Sequence, residues 1–258
     1  MADGHGTRSE EVADLCEKMM IEMTETKMER ILINPVEFLE FAFDHIHAEI
    51  IKTYTCGTTF SLIIILGKKM WIANVGDSTG ILCAKHSIFK NSDLMFEKDV
   101  AIPEKMYETK KADDDKLSNY IVLTSEDHSP EDPEEYKRMR AFKPSEENPL
   151  HAELLCIYDK QRRAKTMCPQ VFNISEDGTP TVRPDDKSFE YYVKNVRQEK
   201  ATYVCGRHSE NALASTRSLG DIELHNLGLT HKPIIRSMDL NKVFVDLKAV
   251  RKPEATEE

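Results

Sequence analysis

The segment TTFSLIIILGKKMWIANVGDS, residues 58–78, contains two runs of β-favouring residues joined by a glycine-lysine turn. The first run is dense in isoleucine, and β-branched residues favour strands. It predicts a strand over residues 58–66 that is buried on both faces, followed by a second strand over residues 69–75. Another tight turn leads into residues 80–84, so we expect a three-stranded antiparallel meander.

Two helices are predicted before this segment. Apolar residues recur at helical spacing from Val12 to about residue 30. Asn34 can cap a second helix, because Pro35 follows it at the first helical position and Glu37 suits the positive helix start. The helical period therefore comes before the strand period along the chain.

Composition limits the classes of function. The chain has 258 residues, a net charge of −10 and 40% hydrophobic residues, enough for a sizeable core. An acidic surface is unsuited to nucleic acid or to an anionic membrane. The longest apolar run, residues 62–66, is far too short to cross a bilayer, and the N-terminus does not read as a signal peptide. We therefore expect an intracellular, cytoplasmic protein without membrane insertion.

The six cysteines are scattered and include no Cys-x-x-Cys pair. A cysteine-based zinc site or a disulfide scaffold would need closer pairing. We expect reduced, mostly buried thiols.

Domain organisation is predicted from proline and charge. One domain is expected over residues 1–250, with a large insertion at about 141–205 where prolines interrupt short apolar pieces, and a disordered tail at 251–258. Residues 86–118 are polar and are expected to form a solvated loop.

Two short segments present carboxylates at turns. Asp3-Gly4-His5-Gly6 precedes the first helix, and a carboxylate beside permissive backbone can offer both side-chain and carbonyl oxygens to Mg²⁺ or Mn²⁺. Asp77 ends a predicted strand, where it can point into a cleft at the sheet rim. In each case an ordinary turn is the alternative, with the Asp side chain accepting backbone hydrogen bonds.

Two further segments carry polar groups. Residues 123–130, LTSEDHSP, precede a charged surface helix, and residues 212–221 read ALASTRSLGD. No Gly-x-Ser-x-Gly elbow surrounds a serine, which disfavours a serine hydrolase.

Taken in order, the motifs resemble the metal-dependent protein phosphatases, also called the PPM or type 2C Ser/Thr phosphatases. That family has an Asp-Gly-His-Gly turn, a Ser-Gly-Ser/Thr-Thr strand start, an Ala-Asn-x-Gly-Asp-Ser-Arg hairpin, a Leu-Thr-x-Asp-His-x-Pro segment and a Leu-Ala-x-Ser-Arg-x-Leu-Gly-Asp motif. The matching segments here are residues 3–6, 56–59, 73–79, 123–130 and 212–221.

The resemblance implies an α+β sandwich: two antiparallel sheets packed face to face, with helices on the outer faces. It also implies hydrolysis of phosphoproteins at two Mg²⁺ or Mn²⁺ ions that hold an attacking water. By the same resemblance, Asp3 and the Gly4 carbonyl are metal ligands and Asp77 lies near an additional metal. His5 matches the general acid, while the substrate-binding residues stay unknown.

The sequence also departs from the family. Only Met1 and Ala2 precede Asp3, whereas the family has further metal-binding acids and a phosphate-binding Arg there, and no Asp-Gly-x-Trp motif follows residue 240. We therefore expect this chain alone to be weakly active or inactive as an enzyme. Two alternatives stay open: a pseudophosphatase that acts as a structural or interaction module, and a piece of a longer phosphatase.

Overall fold

The structure is a computed structural model that describes residues 1–85, 119–123, 125, 127–142, 154–158, 165–183, 200–207 and 211–240. The predicted loop at 86–118 and the predicted tail at 251–258 lie outside the described residues. Among the described helices, none is long and apolar enough to cross a membrane.

Three helices follow the first strand. They are α1 (Ser9–Thr26), α2 (Met28–Ile33) and α3 (Pro35–Ile50). The apolar stripe predicted to about residue 30 is thus divided between α1 and α2. The predicted cap of α3 is confirmed, because the Asn34 side chain accepts a hydrogen bond from the Glu37 N–H at 3.2 Å.

The main sheet contains five strands. Its path is β1 (Ala2–His5), β2 (Gly57–Leu66), β3 (Lys69–Val75) and β12 (Ile234–Asp239), and β11 (Leu219–Gly220) also pairs with β2. All these pairings are antiparallel. The predicted hairpin of β2 and β3 is confirmed.

The predicted three-stranded meander is wrong in its third strand. β4 (Ile81–Lys85) pairs with β5 (Asn119–Leu123) in a separate two-stranded sheet and not with β3. The edge of β3 beyond β2 is instead occupied by β12. A tight turn after a strand therefore did not determine which strand pairs next.

The prediction that β2 is buried on both faces holds only for its first half. Residues 57–60 are buried, but Ile63 and Ile65 are 48% and 58% exposed. The isoleucine run thus alternates between faces in its second half, as expected for a strand with one covered face.

Regular strands also occur within residues 141–205. β6 (Leu154–Tyr158) pairs with β9 (Thr202–Gly206), which pairs with β10 (Ala212–Leu213). A small hairpin joins β7 (Phe172–Ile174) to β8 (Pro180–Val182). The described antiparallel sheets and helices are those of the α+β fold class predicted from the sequence.

Two main hydrophobic clusters hold these elements. The first joins α1 and α3 to the main sheet, with Cys16, Phe43 and Val75 fully buried in it. The second joins β6 and β9 to two further helices, α4 (Pro133–Ala141) and α5 (Ile222–His225). The segment between β10 and α5 connects the second cluster to the main sheet.

Candidate functional site

Three strands converge at the start of β2. Gly57 is paired with His5 of β1 on one edge and with Gly220 of β11 on the other. Neighbouring strands are about 4.8 Å apart, so the residues that flank Gly57 lie close together. Segments more than 200 positions apart in sequence thereby meet at one end of the main sheet.

His5 and Asp221 form the central contact of this site. The His5 Nε2 atom lies 2.6 Å from Asp221 Oδ2, within hydrogen-bond distance. The Asp221 side chain is 8% exposed and the His5 side chain 28% exposed. The carboxylate therefore holds one ring nitrogen of His5 from the buried side.

Gly57 leaves the space that this contact needs. A Cβ atom built on Gly57 would lie 2.2 Å from Asp221 Oδ2 and 2.4 Å from the Leu219 carbonyl oxygen. Both distances are shorter than real Cβ contacts allow. Asp221 itself has φ of 48°, a left-handed conformation that is uncommon for a residue with a side chain. The lack of a side chain at Gly57 and the left-handed conformation of Asp221 together allow the Asp221 carboxylate to reach His5.

Asp3 lies on the same face of β1 as His5, because side chains two positions apart in a strand share a face. Its side chain is exposed, and its backbone N–H donates to Thr59 Oγ1 at 3.2 Å. Thr59 in turn lies 2.7 Å from Ser78 Oγ, next to Asp77. The Asp3 backbone and the turn that carries Asp77 are thus both linked to Thr59 of β2.

A buried histidine connects the turn after β3 to the segment before α4. The Gly76 N–H donates to His128 Nδ1 at 3.0 Å, and the His128 N–H donates to the Gly76 carbonyl at 3.1 Å. Burial lowers the pKa of His128 to about 3, so the ring is neutral at pH 7. His128 is therefore a structural residue in this arrangement.

A buried ion pair joins α4 to the 212–221 segment. Arg217 contacts both carboxylate oxygens of Glu135, at 3.0 and 2.5 Å, and Arg138 and Thr216 donate to the same carboxylate at 2.8 Å. Hydrogen bonds from both arginines hold the pKa of Glu135 well below its usual range against the opposing effect of burial. The prediction that this helix is simply a charged surface helix is wrong at Glu135, which is buried.

A cleft of about 280 Å³ opens beside the His5–Asp221 pair. Its walls come from the turn after β1, the residues just before β2, the β10 strand and α5. The lining includes several polar side chains: His5, Thr7, Thr55, Asn211, Asp221 and Glu223. Such a cleft can admit a polar group next to the histidine.

The structure does not assign roles to the predicted ligands, so Asp3, Gly4 and Asp77 as metal ligands and His5 as general acid stay predictions. Asp221 was not among the predicted site residues, although its Leu-Gly-Asp motif was recognised. The sequence signal that points to Asp221 is an acidic residue directly after a glycine in a short motif. Its pairing with His5 depends on the strand register around Gly57, which no local pattern shows.

The ligand atoms near Asp3 are of the type that binds a hard cation such as Mg²⁺, but they are few. Mg²⁺ and Mn²⁺ prefer carboxylate and other oxygen ligands, and Asp3 offers an exposed carboxylate. Within the described part of the chain, however, the one group of three potential metal-binding side chains consists of histidines and does not include Asp3.

A family model matches the part of the chain that carries the first three motifs. Residues 2–105 match the family model described as Protein phosphatase 2C, which confirms the predicted resemblance over that segment. Curated protein sequences give no significant match. A solved structure titled "Crystal structure of serine-threonine phosphatase 2C from Toxoplasma gondii" is similar at 14% identity and a TM-score of 0.47, covering 94% of this chain and 63% of that chain. This chain therefore spans less than two thirds of the length of that protein chain.

Proposed function

We propose that the end of the main sheet around Asp3, His5 and Asp221 is a phosphatase-type site for phosphoserine or phosphothreonine in proteins, because residues 2–105 match the family model described as Protein phosphatase 2C. The 2.6 Å contact between His5 and Asp221 carries this proposal. The contact orients the His5 imidazole beside the polar cleft, and the exposed carboxylate of Asp3 lies two positions earlier in the same strand.

Asp221 would act as a positioning residue. As a carboxylate it accepts a hydrogen bond only from a protonated Nε2, so the pairing fixes which ring nitrogen carries the hydrogen. The other nitrogen, Nδ1, is then the one that exchanges a proton with a leaving-group oxygen. The Glu135–Arg217 ion pair helps to hold this arrangement, because it anchors to α4 the segment that ends in Asp221.

Asp3 and the Gly4 carbonyl would hold the divalent cation, with Asp77 near a further cation. Bound Mg²⁺ or Mn²⁺ would supply positive charge that offsets negative charge on the phosphoryl oxygens. Asp3 is suited to this because its side chain is exposed on the face that it shares with His5. Gly4 must be a glycine for a separate reason: a Cβ there would lie 2.2 Å from the Ser9 carbonyl oxygen.

We expect turnover to be slow. Cations held near one another repel strongly, and several carboxylates are needed to offset that repulsion. In the described residues Asp221 is engaged with His5, which leaves Asp3 as the exposed acid on the face shared with His5. A metal-dependent rate well below about 1 s⁻¹ is the expected result.

The second candidate is a pseudophosphatase that binds partner proteins without hydrolysis. The observation that favours it is the absence, among the described residues, of a group of three potential metal-binding side chains that includes Asp3. A phosphopeptide assay with and without Mn²⁺ separates the two candidates.

The experiment compares the whole chain with Asp3→Asn, Asp221→Asn and the control Asp14→Asn, whose side chain is exposed on α1. Asp3→Asn should abolish metal-dependent release of phosphate. Asp221→Asn should lower the rate and change the pH profile, because His5 loses its charged acceptor and the new amide NH₂ can instead donate to Nε2, which changes the ring tautomer. Equal rates in Asp221→Asn and the control at every pH would contradict the positioning role.

A further inference from the structure

Three histidines from distant parts of the sequence meet near Gly220, the residue before Asp221. His47 lies on α3, His225 ends α5, and His231 precedes β12. Their rings are nearly parallel, and the His47 centroid lies 4.6 Å from that of His225 and 3.9 Å from that of His231. Each ring offers a nitrogen that lies within 4.8 Å of the others.

One nitrogen of each ring is already held from outside the cluster. His231 Nε2 lies 3.0 Å from Asp44 Oδ1, and His225 hydrogen-bonds the backbone of Ser218. His47 Nδ1 accepts the Gly220 N–H at 3.1 Å. The outer partners of His225 and His231 are acceptors, so these two rings carry their hydrogen on the outer nitrogen and leave the inner one as a lone pair.

The two inner nitrogens, His225 Nε2 and His231 Nδ1, are buried and have no hydrogen-bond partner. Leaving a buried acceptor unpaired is unfavourable, because the atom loses the hydrogen bonds that it makes in water. Protonation does not resolve this at neutral pH, because burial lowers the pKa of His225 to about 3 and also lowers the pKa of His231. The pair therefore lacks an electron-pair acceptor.

We propose that His225 Nε2 and His231 Nδ1 bind a transition-metal cation of the Zn²⁺ class. Neutral imidazole is a preferred ligand of Zn²⁺, Co²⁺, Ni²⁺ and Cu²⁺ and a poor one for Mg²⁺. Zn–N bonds of about 2.0–2.1 Å require the two nitrogens to be no more than about 4.2 Å apart. One nitrogen of each ring in the cluster lies within 4.8 Å of the others, so a small ring rotation is enough for both to reach one ion.

The surroundings match those of histidine-bound metals. A ligating histidine commonly donates its other N–H to a carboxylate or a backbone carbonyl, as His231 does to Asp44 and His225 to Ser218. Lys232 also contacts Asp44, at 2.5 Å, so the carboxylate is already charge-balanced and acts mainly by orienting His231. His47 covers the pair, and its own acceptor nitrogen is engaged with Gly220.

This site differs in chemistry and location from the Asp3 site. Its two ligands lie at the end of α5 and in the segment before β12, so a bound ion would link these two segments. Its effect is therefore expected in stability, whether or not the chain hydrolyses phosphoesters.

The test uses the whole chain, stripped with a chelator and titrated with ZnCl₂ or CoCl₂. We expect one Zn²⁺ per chain and a rise in Tm of about 5 °C at saturation. The Co²⁺ spectrum should show nitrogen and oxygen ligation without thiolate charge-transfer bands, which excludes binding by the cysteines.

Variants assign the binding to this pair. His231→Gln and His225→Gln should each weaken Zn²⁺ binding by at least about tenfold, and Asp44→Asn by about tenfold. The matched control is His45→Gln, because His45 lies on the same helix but is exposed and stacks on Phe41. Absence of a Tm rise in the wild-type chain, a thiolate Co²⁺ spectrum, or equal affinity in His231→Gln and His45→Gln would each overturn the proposal.

Discussion

Replacing Gly57 with alanine tests how the site is built. The new Cβ would lie 0.8 Å too close to Asp221 Oδ2 and 0.6 Å too close to the Leu219 carbonyl oxygen, relative to the 3.0 Å that real Cβ atoms keep. The carboxylate can rotate away, but only by leaving His5. The carbonyl belongs to β11 and can move only if the pairing with β2 shifts.

The expected cost follows from these contacts. Overpacking in a close-packed interior costs about 1–3 kcal/mol, and loss of the His5–Asp221 hydrogen bond adds about 1 kcal/mol. Gly57 is not among the glycines with positive φ, so no backbone strain contributes. Gly57→Ala should therefore lower the free energy of unfolding by about 3 kcal/mol and reduce any phosphatase activity.

Urea denaturation, monitored by circular dichroism, measures this change, and the dependence of the unfolding free energy on urea concentration (the m value) should stay the same. The control is Gly67→Ala, because that glycine has φ of 59° but no atom within 4 Å of its new Cβ. It should cost only the left-handed backbone penalty of about 1–2 kcal/mol. A Gly57→Ala chain within about 0.5 kcal/mol of the wild type would refute the account of how Asp221 reaches His5.

Two further predictions concern buried charge. Glu135→Gln should lower the free energy of unfolding by about 3 kcal/mol, since it leaves Arg217 and Arg138 without their carboxylate. The control Glu134→Gln, on the exposed side of α4, should change the free energy of unfolding by less than about 0.5 kcal/mol. Equal urea midpoints for the two variants would contradict this prediction. Burial lowers the pKa of His47 to about 4 and of His225 to about 3, so the unfolded chain takes up protons first as the pH falls below about 6.5. The Tm should therefore be lower at pH 5 than at pH 7, and the difference should shrink in His225→Gln; an unchanged difference would show that His225 is not buried in its neutral form.

Local patterns predicted the elements better than their partners. The β2–β3 hairpin and the Asn34 cap follow from turn residues and helix-start chemistry, which act over a few positions. The pairing of β4 with β5, and of β12 with β3, depends on contacts between distant segments and left no local signal.

The candidate site shows the same division. The motif order predicted the resemblance to the family and, through it, Asp3 and His5 as site residues, because both lie in one short turn. Asp221 and the buried Glu135–Arg217 pair become meaningful only when strand register brings the 212–221 segment against β2 and α4. Charge runs in the sequence do not distinguish an exposed glutamate from a buried one.

The central claim is that Asp3, with His5 oriented by Asp221, forms a metal-dependent phosphatase-type site. The most direct measurement is a Mn²⁺ titration of phosphate release from a phosphoserine peptide by the whole chain and by Asp3→Asn. The account predicts slow, Mn²⁺-dependent release by the wild-type chain, below about 1 s⁻¹, and none by Asp3→Asn. Release that is absent from the wild-type chain at every Mn²⁺ concentration, or unchanged in Asp3→Asn, would contradict it.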